Sequence, residues 1–127
     1  KLATKKNNFA FGGSIVAISS VSSIKGYKAK TEYCVSKAAL DAAVRCFAQE
    51  LIHKNIRVNT IMPGVVDTPM ALNARIISQT VGGETNEQQP LGNTQPREIA
   101  NLVAFLLSDA TNTITGTSIR IDGGLCM

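Results

Sequence analysis

The run Ser14-Ile15-Val16-Ala17-Ile18-Ser19 is apolar throughout its interior and three of its four apolar residues are β-branched. A strand with one face in water alternates apolar and polar residues, whereas a strand covered on both faces need not. The run therefore predicts a strand sandwiched between helices, an arrangement found in parallel sheets. Two more strands are read at residues 56–61 and 118–122. A long helix is expected from Thr31, as its cap, to about residue 55, with an apolar stripe of Val35, Ala38, Ala39, Ala42, Ala43, Phe47, Leu51 and Ile52. Asp41/Arg45 and Glu50/Lys54 are spaced as i,i+4 ion pairs on it. A short helix is read at residues 70–79. A third runs from Pro96 to residue 109, with Ile99, Leu102, Val103, Leu106 and Leu107 as its buried stripe. The alternation strand-helix-strand-helix-strand implies an α/β fold, a parallel sheet with right-handed crossovers. With 127 residues the chain is at most one domain.

Composition narrows the function classes. The formal charge is +4, but the basic residues are dispersed apart from Lys5-Lys6 and the group Lys25, Lys28 and Lys30. Neither group alternates with aromatics, so a nucleic-acid face is not expected. A basic rim of this kind can favour a phosphate-bearing cofactor or an acidic substrate carrier. The three cysteines Cys34, Cys46 and Cys126 form no Cys-x-x-Cys pair, and His53 is the only histidine, so no metal site is expected. Unpaired cysteines of this number fit a reducing, cytoplasmic compartment. No apolar run approaches the length of a membrane span.

The chemistry concentrates on three residues. Tyr33 and Lys37 stand four apart on the long helix and so share a face. An ammonium beside a phenol favours the phenolate, which suits a tyrosine acting as a general acid or base near neutral pH. Ser20 ends the first apolar run, thirteen residues before Tyr33. A hydroxyl at the C-terminal end of a strand can reach the same crevice and bond a substrate oxygen. The loop of residues 20–30 should form part of a substrate wall. Pro63-Gly64 breaks the second strand. The Gly/Gln/Asn-rich stretch of residues 80–93 reads as a mobile gating segment.

The triple in its context resembles the short-chain dehydrogenase/reductase family, whose active site is a serine followed by Tyr-x-x-x-Lys. Two further segments carry the resemblance. Asn59-Thr60-Ile61-Met62-Pro63-Gly64-Val65-Val66-Asp67-Thr68 looks like the family's N-x-x-x-P-G-x-x-x-T. The stretch Thr115-Gly116-Thr117-Ser118-Ile119-Arg120-Ile121-Asp122-Gly123-Gly124 is similar to its closing T-G-x-x-x-x-x-D-G-G. The look is closest to bacterial 3-oxoacyl-carrier-protein reductases. The resemblance implies the C-terminal half of a Rossmann-type doubly wound parallel sheet, with three of the family's seven strands. It implies Ser20, Tyr33 and Lys37 as catalytic residues. Tyr33, Lys37, Pro63, Gly64, Val66 and Thr68 would face NAD or NADP. The implied reaction is hydride transfer between that cofactor and a small-molecule carbonyl or alcohol, in a parent that forms a homodimer or homotetramer through the long helix.

No glycine-rich strand-turn-helix fingerprint precedes Ser20, so the phosphate-binding half and the family's active-site asparagine are expected upstream of Lys1. The first strand would then be an edge lacking its neighbour. A truncated, inactive fragment that serves only as an interaction module is the alternative reading.

Overall fold

The computed structural model describes residues 12–80 and 89–127. Three parallel strands, β1 (Gly13–Ile18), β2 (Ile56–Pro63) and β3 (Ser118–Ile121), lie in the order β1-β2-β3. Gly13 pairs with Ile56 at one end of β1 and Ile18 with Ile61 at the other. Thr60 to Pro63 pair with Ser118 to Ile121. The helices are α1 (Thr31–Leu51), α2 (Pro69–Thr80) and α3 (Pro96–Leu107). The expected tail of residues 1–11 and most of the expected gating segment, residues 81–88, lie outside the described residues.

Neighbouring strand residues point to opposite faces of a sheet, and the partners differ accordingly. Ile15, Ala17, Ile56 and Val58 pack with Val44, Ala48 and Leu51 of α1. Ser14 and Arg57 instead turn to α3, where both donate to the carbonyl of Leu106, at 2.8 and 2.9 Å. The two helices therefore cover opposite faces. β2 is buried along its whole length, as a central strand must be, while β1 is half-buried and forms an edge.

Several expectations are corrected. Thr31 is not a cap: it is the first helical residue, Lys30 holds the N-cap position, and no side chain caps the helix there. Of the expected stripe of α1, Leu51 packs on the sheet core but the larger Val35 and Phe47 do not. Val35 is 62% exposed and Phe47 48%, and the buried residues are Asp41, Val44 and Ala48. The sheet takes a narrow face of small residues, because α1 lies close against β2. Asp41 points inward with its Oδ1 unpartnered, and no ion pair joins it to Arg45 among the described residues. On α3, Leu106 is fully buried but Leu107 is 47% exposed. The helix ends of α1 and α3 are also shorter than expected. α1 gives way to a 3₁₀ turn at Ile52–Lys54 that closes on Asn55 in the left-handed conformation, φ 55°.

Arg57 anchors the far end of the core. It is 7% exposed, yet among the described residues no carboxylate meets its guanidinium. It donates instead to the carbonyls of Leu106 and Ser108 and to the Thr111 hydroxyl, at 2.9–3.0 Å. Those carbonyls belong to the last turn of α3, where helix acceptors lack partners and the dipole is negative.

Candidate active site

The C-terminal ends of β1 and β2 open into a cavity of about 890 Å³. Every residue singled out in the sequence as catalytic or cofactor-facing lines it: Ser20, Tyr33, Lys37, Pro63, Gly64, Val66 and Thr68.

Ser20 follows β1 and begins a 3₁₀ turn at Val21–Ser23. Its Oγ accepts from the Ser22 N–H at 3.1 Å and donates to the Ser22 Oγ at 3.2 Å. The hydroxyl is thus held by its own loop and is only 8% exposed. Tyr33 and Lys37 project from the first two turns of α1. Tyr33 is 44% exposed. The Lys37 ammonium donates to the carbonyl of Ile18 at 3.0 Å and lies 5.6 Å from the centroid of the Tyr33 ring. The neighbouring Ser19 hydroxyl reaches back to the Lys37 carbonyl at 3.3 Å. The end of β1 therefore fixes the start of α1 from two directions, and the lysine tip is tethered beside the phenol.

The opposite wall is the segment after β2. The strand ends at Pro63-Gly64 as expected, although it runs past residue 61: Pro63 is its last residue and pairs with Ile121. The chain turns at Gly64, where an added Cβ would fall 2.0 Å from Gln89 Oε1 and 3.0 Å from the Asp122 backbone. Only glycine lets the chain pass there. Gln89, 5% exposed, clamps this turn: it accepts from the Val65 N–H and donates to the carbonyls of Val65 and Gly92, at 3.2 and 2.8 Å. Thr68 caps α2, accepting from the Ala71 N–H at 3.3 Å, and its hydroxyl also donates to the Val66 carbonyl at 3.3 Å. Sequence reasoning missed Gln89 entirely. No spacing pattern marks it, since its partners come from β2's loop 24 residues away.

The remaining motif residues do structural work away from the cavity. Asn59, fully buried, donates to the Ile114 carbonyl at 2.8 Å and accepts from the Thr117 N–H at 3.2 Å. Thr115 accepts from the Val58 N–H at 3.0 Å. Gly116 has φ 69°, and a Cβ added there would fall 3.4 Å from the Ala48 Cβ. Asp122 accepts from the N–H groups of Gly124 and Cys126, at 3.2 and 3.0 Å, and so closes the C-terminal turn. Among the described residues, no cluster of three metal-ligating side chains forms, and no helix is long and apolar enough to cross a membrane.

The donor set fits the nicotinamide-ribose end of a dinucleotide. The Lys37 ammonium and Tyr33 phenol can serve ribose hydroxyls, and the apolar Pro63–Val66 wall can take a flat ring. A parallel sheet covered by helices on both faces, with its crevice beyond the C-terminal strand ends, is the Rossmann-type doubly wound arrangement. Residues 2–126 match the family model described as Enoyl-(Acyl carrier protein) reductase. The chain belongs to this family, within the short-chain dehydrogenases/reductases.

It is 40% identical over 114 residues to the 3-oxoacyl-[acyl-carrier-protein] reductase of Thermotoga maritima, covering 89% of this chain and 45% of that one. A short-chain dehydrogenase family protein from Francisella tularensis superposes with a TM-score of 0.82 at 38% identity, over 94% of this chain and 53% of the other. L-sorbose reductase from Gluconobacter frateurii, solved with NADPH and L-sorbose, gives a TM-score of 0.80 at 31% identity, over 91% and 48% of the two chains. A 4-hydroxyisoleucine dehydrogenase complexed with NADH gives 0.74 at 32% identity, over 90% and 46%. The chain thus spans about half the length of the relatives it matches.

Proposed function

We propose that the intact protein carrying this chain is a nicotinamide-dependent oxidoreductase that interconverts a carbonyl and an alcohol. The observation that carries this reading is the convergence of a buried serine hydroxyl, a phenol and a tethered ammonium on one cavity. NAD or NADP, when bound, supplies or receives the hydride. In the reducing direction the Tyr33 hydroxyl gives its proton to the carbonyl oxygen as negative charge develops there, and the carbonyl becomes the alcohol. Lys37, held by the Ile18 carbonyl, stabilises the negative charge that then appears on the phenol oxygen, and its remaining donors would be free to hold the ribose. Ser20, its oxygen positioned by Ser22, donates to the same carbonyl oxygen and orients it. Pro63, Gly64, Val66 and Thr68 would form the wall that takes the nicotinamide ring.

The phosphates of the dinucleotide are then bound by residues outside this chain, which supplies the catalytic half of a partial Rossmann-like domain. The exposed apolar face of α1, with Val35 and Phe47, is suited to pair with its copy in a homo-oligomer. The three free cysteines accord with a cytoplasmic setting. The test is a panel of ketones with NADH and NADPH, followed through the absorbance of the reduced nicotinamide, for the intact protein and its Tyr33→Phe variant. Loss of turnover with retained dinucleotide binding is expected. Turnover by the variant at the unmodified rate would sink the assignment and leave the interaction-module reading.

A further inference from the structure

Two cations line the cavity, and only one is engaged with the proposed chemistry. Lys37 is tied to the Ile18 carbonyl and the Tyr33 ring. The other, Lys30, stands at the N-cap of α1, three residues before Tyr33. Its ammonium lies 5.1 Å from the centroid of the Tyr27 ring, which also lines the cavity. The Lys25 ammonium lies 5.5 Å from the same centroid. A cation over an aromatic face is held in place without being neutralised. Among the described residues no aspartate or glutamate lines the cavity, and Lys30 forms no ion pair with a carboxylate. Glu32, the nearest acidic residue along the chain, is exposed and is not part of the wall. The first turn of α1 adds to the positive field, because no side chain caps its N–H groups. The rest of the wall is mainly aliphatic, hydroxyl or backbone.

We propose that the substrate is anionic, and that Lys30, steadied over Tyr27, binds its charged group while Ser20 and Tyr33 hold the carbonyl oxygen. The site selects by charge at one end and by reactivity at the other. Tyr27 acts as a positioning residue for the lysine. A carboxylate on the substrate itself and a phosphate on a thioester carrier offer the same chemistry to an ammonium, and the arms of the test separate them. The inference rests on the oxidoreductase reading given above, so its experiment must be able to fail separately.

The intact protein is assayed with a 3-oxo carboxylic acid, its methyl ester and the corresponding coenzyme A thioester. The expected result is a preference for a charged substrate over the neutral ester in kcat/KM. Lys30→Gln should shrink that preference about tenfold, mainly through KM, and Lys30→Arg should restore most of it. Preference for the acid identifies the carboxylate; preference for the thioester alone identifies the carrier phosphate. Equal use of all three, or a preference that survives Lys30→Gln, overturns the proposal while the oxidoreductase reading stands. Should no ketone be reduced, calorimetric titration with the 3-hydroxy acid and with its coenzyme A thioester still decides: binding of either weakened about tenfold by Lys30→Gln upholds the charge site, and binding of neither, or binding unchanged by the substitution, overturns it.

Discussion

Asn59 and Tyr33 both sit in recognisable motifs, yet the regions around them are built on opposite terms. Around Asn59 every polar group is spent. Its amide donates to the Ile114 carbonyl and accepts from the Thr117 N–H, and the Thr115 hydroxyl accepts from the Val58 N–H, in a buried seam between β2 and the loop before β3. Around Tyr33 the polar groups are held but left available. The phenol is 44% exposed, Ser20 is fixed only by its own turn, and Lys37 bonds one carbonyl with donors to spare. A buried polar group without a partner costs about 1–3 kcal/mol, so a seam must be closed. A reacting group already satisfied has nothing to offer a substrate. Motif status alone does not separate the two cases; burial and hydrogen-bond accounting do.

The sharpest break of this contrast is at Tyr33. Tyr33→Phe in the intact protein should lower turnover by about 10²–10⁴-fold, the range for a positioned general acid, with unfolding unchanged. A change in stability without a change in rate would place Tyr33 in the seam class.

Arg57→Met tests the other side. It leaves the α3 carbonyls and Thr111 without their donor, and should cost about 3 kcal/mol in denaturant unfolding. Turnover per folded molecule should hardly move. A large rate loss at full stability would show that this end of the sheet communicates with the site.

Ser20→Ala should cost about 10² in rate, as for one donor to a developing oxyanion. Ser23, whose hydroxyl contacts Met62 Sδ at 3.3 Å, should matter far less. Ser22→Ala should fall between, because Ser22 orients Ser20. Equal losses at all three would assign the effect to the loop.

The smallest effect concerns Cys126. Burial, and then the negative charge of Asp122, push its thiol above the ordinary range. A thiol raised on folding contributes stability below its unfolded pKa and loses it as pH rises past that value. Alkylation of Cys126 should therefore require higher pH than a peptide thiol, and Asp122→Asn should shift the profile downward. An identical profile in the variant would remove Asp122 as a cause.

Much of the architecture was legible because it rests on local pattern. The continuous apolar run of β1, the helical spacing of α1 and the Pro96 start of α3 each depend on residues close in the chain. The spacing of Ser20, Tyr33 and Lys37 was legible for the same reason: two lie on one helix face and the third ends the preceding strand. What the pattern misassigned was the direction of α1. Its larger apolar residues, Val35 and Phe47, lie within the broad apolar band read from the sequence, and periodicity cannot say which part of that band meets the sheet. That choice belongs to packing: Val44 and Ala48 fit against Ile56 and Val58, and Asp41 is carried inward with them.

By itself, then, the sequence determined the order of elements, the parallel sheet and the three chemical groups. Periodicity and short spacing survive without knowledge of distant partners. Tertiary structure alone decided that Gln89 clamps the Gly64 turn and that Arg57 serves α3. Each of those contacts joins segments whose proximity comes from how the chain folds over the sheet, and no local pattern encodes it.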